Sequence, residues 1–578
     1  RDAATGAPTG DDLVAHAEAA LGRPLKLTIA EGVIFDVEPL NLASQAKFAA
    51  LVDMVENGSL SQTDGLRLIS APDLEELLHP RLAPGGENLT IARGINASPG
   101  AVAGRIYFSA RDAIDVAQTS GAGPVLLVRK ETTPEDIRAI TVAAGVVTRA
   151  GGMTSHAAVI ARGLGKPCVV GVREMDVDPE TRTLRIGDQL FYEGDWLTID
   201  GSSGLVLPGR VETQEPSLSE AFDKIMGWCD ATRSMDVLAN AETVAEVELA
   251  LRFGAEGIGL CRTEHMFLNA ERLGDVQKMI LAETIEAREA VLKELEPLVQ
   301  AEFLRLLLVL QGKPVTVRLL DPPLHEFLPH DASAMKAVAK EMGVTPAKLK
   351  ARVDSLHEMN PMLGHRGCRL SITYPEILEM QVQAIVEAAI ACAKKKIKAK
   401  PEIMIPLVGT KKELAMLRER AEGVIAATKK AKKFSGKLDI LIGTMIEIPR
   451  AALTADEVAE CADFFSFGTN DLTQMAFGYS RDDIGTFLPD YLAQGVLPVD
   501  PFASLDTTGV GQLVETACVK GRSTRGDLKL GICGEHGGDA PSIFFCHAVG
   551  LDYVSCSPFR VPVARLAAGQ AAIAEKQG

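Results

Sequence analysis

The chain lacks any apolar run long enough to cross a membrane. None of its 578 residues lies in a stretch of the ~18 uninterrupted apolar residues that a spanning helix needs. The longest candidates, such as residues 303–310, are too short or contain an arginine. The opening residues also have no apolar segment of the kind that marks a signal peptide. We therefore expect no membrane among its partners.

The chain is also poor in positive charge. It has 60 Lys and Arg residues against 77 Asp and Glu residues, which gives a formal net charge of −17. Nucleic acids and anionic membranes bind proteins through basic surfaces, so both are disfavoured as partners. A local basic pocket for a small anion remains compatible with this composition.

Closely spaced pairs of cysteines are missing as well. The ten cysteines are scattered, and no two of them form a CxxC pair. A disulfide framework and a thiolate zinc site are therefore both disfavoured. Scattered free thiols in a long chain are typical of a reducing compartment, so we expect a cytoplasmic protein.

Composition and length predict an ordinary globular protein of several domains. Hydrophobic residues make up 47% of the chain and charged residues 24%. A length of 578 residues fits about two to four domains, because one (β/α)₈ barrel alone takes ~250 residues. We predict four parts, in chain order: a remnant with too few apolar residues for its own core (1–90), a strand-rich and glycine-rich α/β domain (91–208), a linker helix (209–233) and an α/β barrel (234–578).

The predicted barrel rests on short apolar runs that alternate with helical segments. The eight runs are residues 235–240, 256–262, 314–321, 360–367, 402–409, 439–447, 463–471 and 529–538. Eight strands alternating with helices indicate a (β/α)₈ barrel, in which the chemistry lies at the carboxyl ends of the strands. Polar residues stand at those ends: Arg262, Arg318 with Asp321, Arg366, Glu447, Asn470 with Asp471, and Cys533 with Glu535 and His536.

A histidine after a glycine pair is the first candidate for chemistry. His156 follows Gly151 and Gly152, with Thr154 and Ser155 between them, at the predicted start of a helix. A helix start binds anions, and an imidazole there can act as a nucleophile toward phosphorus. An ordinary histidine on a helix capped by a hydroxyl side chain explains the same residues.

Two carboxylates and three arginines are the second candidate set. Glu447 and Asp471 follow neighbouring predicted strands, and oxygen ligands of this kind suit Mg²⁺ or Mn²⁺. Arg262, Arg318 and Arg366 facing the same end suit a small, highly charged anion such as a phosphate ester. Surface carboxylates near lysines, and surface salt bridges, are the alternatives.

Cys533, after the last predicted strand, is a candidate acid or base for protons on carbon. We expect nearby cations to lower the pKa of its thiol. Inert packing is the alternative, because a buried cysteine usually has no chemical role.

Long segments of the chain resemble the phosphoenolpyruvate-utilising enzymes, and among them the pyruvate phosphate dikinases. The stretch TSHAAVIARGLGKPCVVG resembles their phosphohistidine signature. Further matching segments are GLCRTEHMF, VRLLDPPLHEFLP, NPMLGHRGCRL, GTMIEIPRA, FSFGTNDLTQMAFGYSRDD and GICGEHGG. The resemblance covers the chain from about residue 90 to its end, and residues 25–80 more weakly. It implies an α/β fold in which a swivelling β/β/α phosphohistidine domain precedes the barrel.

The resemblance also implies a role for each candidate residue. His156 carries the phosphoryl group, and Cys533 moves the proton at the methyl carbon of pyruvate. Arg262 and Arg318, with Arg366 in support, bind phosphoenolpyruvate. The remaining residues are the Mg²⁺ ligands Glu447 and Asp471, the substrate-lining residues Gly468, Thr469 and Asn470, and Thr154 at a position of regulatory phosphorylation. Family members are expected to form homodimers through the barrel.

The front of the chain departs from the family. The ATP-binding domain that precedes the phosphohistidine domain in the family is not in this sequence, and its Gln-Thr-Arg run is absent near residues 34–48. We therefore expect the chain as given not to use ATP.

Three functions are compatible with these features. The favoured one is a phosphotransferase that exchanges a phosphoryl group between phosphoenolpyruvate or pyruvate and His156. The second is a subunit of a split phosphotransferase with another acceptor, supplied by a separate ATP-binding protein. The third is a non-catalytic phosphoenolpyruvate-binding regulator, against which Cys533 and the carboxylate pair argue.

Overall fold

The computed structural model describes most of the chain and divides it into two compact units. The described residues are 25–30, 33–39, 44–117, 123–132, 136–152, 155, 157–158, 161, 165–214, 218–267, 272–329, 332–341, 343–481, 483–484 and 487–576. The first unit comprises residues 1–233, 480–500 and 565–578, and the second comprises residues 234–479 and 501–564. The finer four-part division of the sequence stays a prediction.

An eight-stranded mixed sheet is the centre of the first unit. Its strands lie in the order Ala92–Arg93, Leu205–Pro208, Trp196–Asp200, Ala101–Tyr107, Val125–Arg129, Gly145–Thr148, Cys168–Val170 and Ile95–Ser98. The four strands from Ala101–Tyr107 to Cys168–Val170 are parallel, and the other pairs are antiparallel. The parallel strands are runs of buried β-branched and leucine residues, as expected for a sheet covered on both faces.

Each face of this sheet has its own apolar cover. On one face, valine and isoleucine side chains of the sheet pack against a three-stranded antiparallel sheet formed by Met175–Asp178, Thr183–Ile186 and Gln189–Tyr192. On the other face, the helices Ala110–Ala117 and Ile137–Val142 pack together with Ala157, Ala158 and Ala161. The described residues that follow position 156 therefore pack against the sheet through buried alanines.

The remaining elements of the first unit are short. A hairpin joins Leu25–Ala30 to Val33–Pro39, and a second pair joins Arg81–Leu82 to Thr213–Gln214. The helices are Ser44–Glu56, Gln62–Arg67, Ala71–Leu78, Glu220–Thr232 and Leu488–Ala493, with a 3₁₀ turn at Gly86–Leu89. Residues 209–233, which were predicted to be a linker helix, contain the helix Glu220–Thr232, capped by Ser219.

The second unit contains the predicted barrel, which is closed and all-parallel. Its strands, first to eighth, are Asp236–Asn240, Ile258–Arg262, Pro314–Arg318, Lys400–Ile405, Leu441–Ile446, Phe464–Phe467, Lys529–Ile532 and Tyr553–Cys556. The fold class predicted from the sequence is therefore confirmed.

Helices connect the barrel strands and cover them. They are Val244–Arg252, Glu264–Phe267, Leu273–Leu281, Ile285–Leu310, Ala332–Glu341, Pro346–Leu356, Gly367–Thr373, Pro375–Lys394, Lys411–Ala431, Pro449–Leu453, Ala455–Ala459, Thr469–Phe477, Val510–Thr524, Ala540–Ala548 and Val561–Glu575, the last divided between the two units. Short 3₁₀ turns lie at Leu324–Phe327, Pro361–Leu363, Glu535–Gly538 and Pro558–Arg560.

One of the eight predicted strands is wrong. Residues 360–367 form a 3₁₀ turn and the start of a helix, because Pro361 opens the turn and Gly367 has a φ of 58°. The true eighth strand, Tyr553–Cys556, has only four residues and does not stand out in the sequence from the helices around it. As a consequence, Glu447 follows the fifth strand, Asp471 the sixth and Cys533 the seventh.

Among the described residues, no helix is both long enough and apolar enough to span a bilayer.

A glycine in the seventh strand gives a test of barrel packing. A Cβ added at Gly531 would lie 2.1 Å from ring atoms of the fully buried Tyr553. We expect Gly531→Ala to lower the free energy of unfolding by about 1–3 kcal/mol, because the ring has no room to move. The measurement is chemical denaturation of the whole chain.

Gly423→Ala is the matched control. This glycine is exposed on the helix Lys411–Ala431, and a Cβ added there would have no heavy atom within 4 Å. We expect it to raise stability by up to about 1 kcal/mol through helix propensity. Equal unfolding midpoints for the two variants would contradict the packing argument.

Candidate active site

The carboxyl ends of the barrel strands, which we call the barrel mouth, bring most of the predicted residues together. Arg262 and Arg318 are the last residues of the second and third strands. Glu447 directly follows the fifth strand, and Cys533 directly follows the seventh. Because parallel strands end at one rim of a barrel, these side chains share one mouth.

Two arginines of the barrel mouth are held by acidic partners. Arg262 donates through Nη1 to Oε1 of Glu242 at 2.9 Å. Arg318 donates to Glu264 and also lies 3.0 Å from Oδ2 of Asp321. Both guanidiniums are therefore oriented before any ligand binds.

Arg366 reaches the barrel mouth by a different route from the one predicted. It does not end a strand but precedes the helix Gly367–Thr373. Its Nε and Nη2 donate to the two oxygens of Asp321 at 3.1 and 2.6 Å, and Nη2 lies 3.4 Å from Oδ2 of Asp471. The prediction that Arg366 joins Arg318 at one mouth is consistent with these contacts, although the strand assigned to it was wrong.

Glu447 has an unsatisfied oxygen in a buried position. Its side chain is 1% exposed, and Oε1 accepts the N–H of Leu407 at 2.6 Å. Within the described part of the chain, Oε2 has no hydrogen-bond partner. Burial and the nearby carboxylates of Asp471 and Asp321 raise the pKa of Glu447 well above its usual value. A buried carboxylate oxygen without a partner is a natural place for a cation.

Asp471 is the second carboxylate that could hold this cation. It lies in the first turn of the helix Thr469–Phe477, and its Oδ1 accepts from Gln474 at 3.0 Å. The described residues contain no cluster of three or more His, Cys, Asp or Glu side chains suited to a metal. Two carboxylates that leave further positions to water and substrate fit Mg²⁺, which keeps several non-protein ligands.

The segment after the sixth strand leaves space beside Oε2 of Glu447. A Cβ at Gly468 would lie 2.7 Å from Oε2 of Glu447, so any larger residue would crowd this oxygen. Thr469 is buried, with its Oγ1 2.7 Å from Nδ1 of His536. Asn470 accepts the N–H of Glu535 through Oδ1 at 3.3 Å. These contacts tie the end of the sixth strand to the turn after the seventh.

Cys533 is buried at the barrel mouth, and its thiol differs from the prediction. Its N–H donates to the carbonyl of Phe467 at 3.2 Å, and its own carbonyl accepts from Asn240 at 3.1 Å. Burial raises the pKa of the Cys533 thiol to about 11, although Arg262 and Arg318 oppose this shift. The expectation of a lowered pKa is therefore wrong for the protein alone, because the thiol packs among apolar side chains.

His536, three residues after Cys533, also lies in the turn after the seventh strand. Both ring nitrogens of His536 lie within hydrogen-bonding distance of protein oxygens, those of Thr469 and Pro501. The ring is fully buried. It therefore supports the turn after the seventh strand and has no nitrogen left for a substrate.

The predicted phosphohistidine segment is only partly described. His156 and Thr154 lie outside the described residues, as does Arg162. Gly151 has a φ of 114°, and a Cβ at Gly171 would lie 2.8 Å from the carbonyl oxygen of Gly151, so both positions favour glycine.

An open cavity of about 550 Å³ lies beside this segment in the first unit. Its lining residues are Lys130, Glu131, Arg149, Ala150, Gly151, Gly171 and Arg173. The three cations come shortly after three neighbouring parallel strands, Val125–Arg129, Gly145–Thr148 and Cys168–Val170. The carboxyl ends of parallel strands are where α/β sheets bind ligands, and here that edge is basic.

Some residues of the barrel mouth were missed by sequence reasoning. Glu242 and Glu264 hold arginines, and the backbone N–H of Leu407 holds Glu447. Glu264 lies two residues after Arg262, which was a usable signal. Leu407 gave none, because its role depends on a backbone N–H and a φ of 61°.

Comparison with known proteins agrees with this arrangement. A family model described as the PEP-binding domain of PEP-utilising enzymes matches residues 217–573, and one for their mobile domain matches residues 121–204. PEP here stands for phosphoenolpyruvate.

Curated relatives carry the name pyruvate, phosphate dikinase. The chain is 52% identical to the protein of Clostridium symbiosum, over 96% of this chain and 63% of that one. It is 51% identical to the protein of Rhizobium meliloti (strain 1021), over 95% of this chain and 61% of that one. It is 50% identical to the chloroplastic pyruvate, phosphate dikinase 1 of Arabidopsis thaliana, over 90% of this chain and 54% of that one. The chain thus spans less than two thirds of the length of these relatives. With a family model that covers more than half of its residues, including the whole barrel, the chain belongs to the PEP-utilising enzymes.

Proposed function

We propose that this chain is a phosphotransferase that exchanges a phosphoryl group between PEP or pyruvate and His156, as the names of its relatives imply. The observation that carries the proposal is the barrel mouth, where Arg318 and Arg366 stand beside Glu447 and Asp471 with a buried thiol. The family resemblance assigns each of these groups a part of this half-reaction.

The arginines support binding of a doubly charged phosphate ester. Arg262, Arg318 and Arg366 each contact a carboxylate that fixes the direction of the guanidinium. Preoriented guanidiniums stabilise a transferring phosphoryl group without reorganising during the reaction. We assign Arg262 and Arg318 to the phosphoryl and carboxylate groups of PEP, with Arg366 in support.

Glu447 and Asp471 are the proposed ligands of Mg²⁺. When bound, Mg²⁺ would act as a Lewis acid that stabilises negative charge on the substrate oxygen. Gly468, Thr469 and Asn470 would line the substrate at the same position, since they connect the sixth strand to Asp471.

Cys533 is the proposed acid and base at C3 of the substrate. Transfer of the phosphoryl group from PEP to His156 breaks the bond between oxygen and phosphorus and leaves the enolate of pyruvate. Cys533 then gives its proton to C3, so that a C–H bond forms as the S–H bond breaks. A thiol kept neutral by burial suits this donor step.

The first unit would supply the histidine that receives the phosphoryl group. The basic cavity beside Gly151 supports this assignment, because an anion attached to the following residues would meet cations there. We propose that residues 91–208 act as a swivelling phosphohistidine domain, with residues 1–90 and 209–233 as the remnant and the linker and residues 234–578 as the barrel. Thr154 would then be a site of regulatory phosphorylation.

The expected partners follow from the same proposal. They are PEP and pyruvate, a nucleotide-binding part carried elsewhere or by a separate ATP-binding subunit, and a second copy joined through the barrel. The free cysteines support a cytoplasmic location.

His156→Ala tests the phosphoryl carrier. We expect the variant to lose the acid-labile, base-stable label that radiolabelled PEP and Mg²⁺ leave on the wild-type chain, because no other nucleophile takes the group. His547→Ala is the control, since this histidine lies in the last turn of the helix Ala540–Ala548, which leads into the eighth strand at the end opposite the barrel mouth. Wild-type labelling of His156→Ala would refute the assignment.

The metal pair is tested by Glu447→Gln and Asp471→Asn. Each should weaken binding of Mn²⁺, a spectroscopic probe for Mg²⁺, at least about tenfold, the scale seen when metal sites lose even an outer partner. Binding is measured by electron paramagnetic resonance. Glu402→Gln, a buried barrel carboxylate paired with Lys529, is the control and should bind normally. Unchanged affinity for Mn²⁺ in either test variant would contradict the proposal that Glu447 and Asp471 hold the metal together.

Cys533→Ala tests the proton transfer. Exchange of the pyruvate methyl protons with deuterated water should fall by about 10²-fold or more, as for loss of a general acid or base, while PEP still binds. Cys556→Ala, also buried and in the eighth strand, is the control. Exchange within a few-fold of the wild type in Cys533→Ala would assign the role elsewhere.

The raised pKa of Cys533 predicts how the rate of proton transfer depends on pH. A thiol with a pKa of about 11 is neutral below that pH, so proton donation to C3 should stay constant between about pH 6 and pH 9. Proton removal needs the thiolate and should accelerate as the pH rises. Nuclear magnetic resonance of the methyl group gives the rates of proton donation and proton removal. A Cys533 thiol that titrates below pH 8 would contradict the raised pKa.

A further inference from the structure

One carboxylate at the barrel mouth contacts two of the substrate arginines. Asp321 lies just beyond the third strand and is 1% exposed. Its Oδ2 lies 3.0 Å from Nη1 of Arg318 and 2.6 Å from Nη2 of Arg366, and its Oδ1 accepts from Nε of Arg366 at 3.1 Å. The proposed function assigns no role to Asp321.

The backbone conformation at Gly367 brings Arg366 into contact with Asp321. The N–H of Gly367 donates to the carbonyl of Asp321 at 3.0 Å. Gly367 has a φ of 58°, and a Cβ there would lie 2.7 Å from Cβ of Leu407 and 3.1 Å from Oδ1 of Asp321. Only glycine allows this approach without strain, so the start of the helix Gly367–Thr373 is fitted to the carboxylate.

Hydrogen bonds also fix the segment that carries Asp321. The N–H of Leu320 donates to Gln381, which is buried and itself donates to Oγ1 of Thr263 at 2.8 Å. Thr263 directly follows Arg262. The segment after the third strand is thus joined to the segment after the second.

Asp321 is ionised in this setting. Burial alone would raise its pKa, but Arg318 and Arg366 outweigh burial and hold the pKa of Asp321 below its usual value. An ionised carboxylate with both oxygens occupied fixes the planes of two guanidiniums at once. Glu264, in contrast, contacts only Arg318 among the substrate arginines.

We propose that Asp321 is a positioning residue for phosphoryl transfer, holding Arg318 and Arg366 in the one orientation in which both face the transferring group. Through Arg366, which lies 3.4 Å from Oδ2 of Asp471, it also orders the proposed metal carboxylate. In this proposal Asp321 acts only through the two arginines. The inference rests on the proposed function, since it needs these arginines to act on PEP.

The expected effect of Asp321→Asn falls on rate more than on binding. An amide keeps the size of the side chain but presents an NH₂ group to a guanidinium, where a second acceptor is needed. The three cations remain and still attract PEP, so the dissociation constant should change less than about tenfold. Misplaced catalytic groups can cost about 10²-fold in rate, so labelling of His156 should slow by about that factor.

The experiment is rapid-quench labelling of the whole chain with radiolabelled PEP, with the dissociation constant of PEP measured separately by calorimetry. Asp230→Asn is the matched control, because Asp230 likewise binds two arginines, Arg233 and Arg565, in the first unit. It should label at the wild-type rate. Asp321→Glu keeps the charge and should recover much of the rate.

The outcomes separate this inference from the proposed function. If the wild type takes no label from PEP, the proposed function fails and this inference fails with it. If the wild type labels and folded Asp321→Asn labels equally fast, only the role of Asp321 is overturned. The same holds if Asp321→Glu is no faster than Asp321→Asn. Should Asp321→Asn not fold, Asp321→Ser takes its place, because it also removes the charge. A labelling rate near wild type overturns the inference, and a slowed rate with little change in the dissociation constant of PEP supports it.

Discussion

The barrel mouth exists because its buried charges pair with one another. A charge removed from water is destabilising by several kcal/mol unless opposite charges and hydrogen bonds surround it. Here Asp321 contacts both Arg318 and Arg366. Each of these arginines has a second acidic partner, which is Glu264 for Arg318 and Asp471 for Arg366. The positions of the loops after the second, third and sixth strands depend on this pairing. The orientation of the arginines proposed to bind PEP depends on it too.

Pairing at the barrel mouth is incomplete at particular atoms. Oε2 of Glu447, Oε2 of Glu264 and Nε of Arg318 are buried and, within the described residues, lack a hydrogen-bond partner. Native proteins leave few such atoms, and those that remain usually have a functional reason. The two carboxylate oxygens could accept from a cation or a protonated group, and Nε could donate to an anion. The unsatisfied atoms therefore match the two kinds of ligand that the proposed reaction brings to the mouth.

Much of the mouth could be predicted because its residues stand next to strands in the sequence. Arg262, Arg318, Glu447 and Cys533 end or directly follow buried apolar runs, so the barrel rule was enough to bring them together. Arg366 reaches the same place through a positive φ at the following glycine, which a strand pattern cannot represent. The eighth strand is as long as the sixth and seventh strands, and it was missed because residues 360–367 had already completed a count of eight.

Burial opposes ionisation of both Asp321 and Cys533, and the contacts of each group decide its pKa. Asp321 is held ionised by two guanidiniums that touch it, whereas Cys533 packs against the apolar cluster of Leu260, Met404, Met445 and Phe464. A hydrogen bond with Ser466 and the charges of Arg262 and Arg318 favour the thiolate, but burial outweighs them and raises the pKa of the thiol. A neutral thiol and an ionised carboxylate therefore occur at one barrel mouth. The first suits proton transfer to carbon, and the second suits the orientation of guanidiniums.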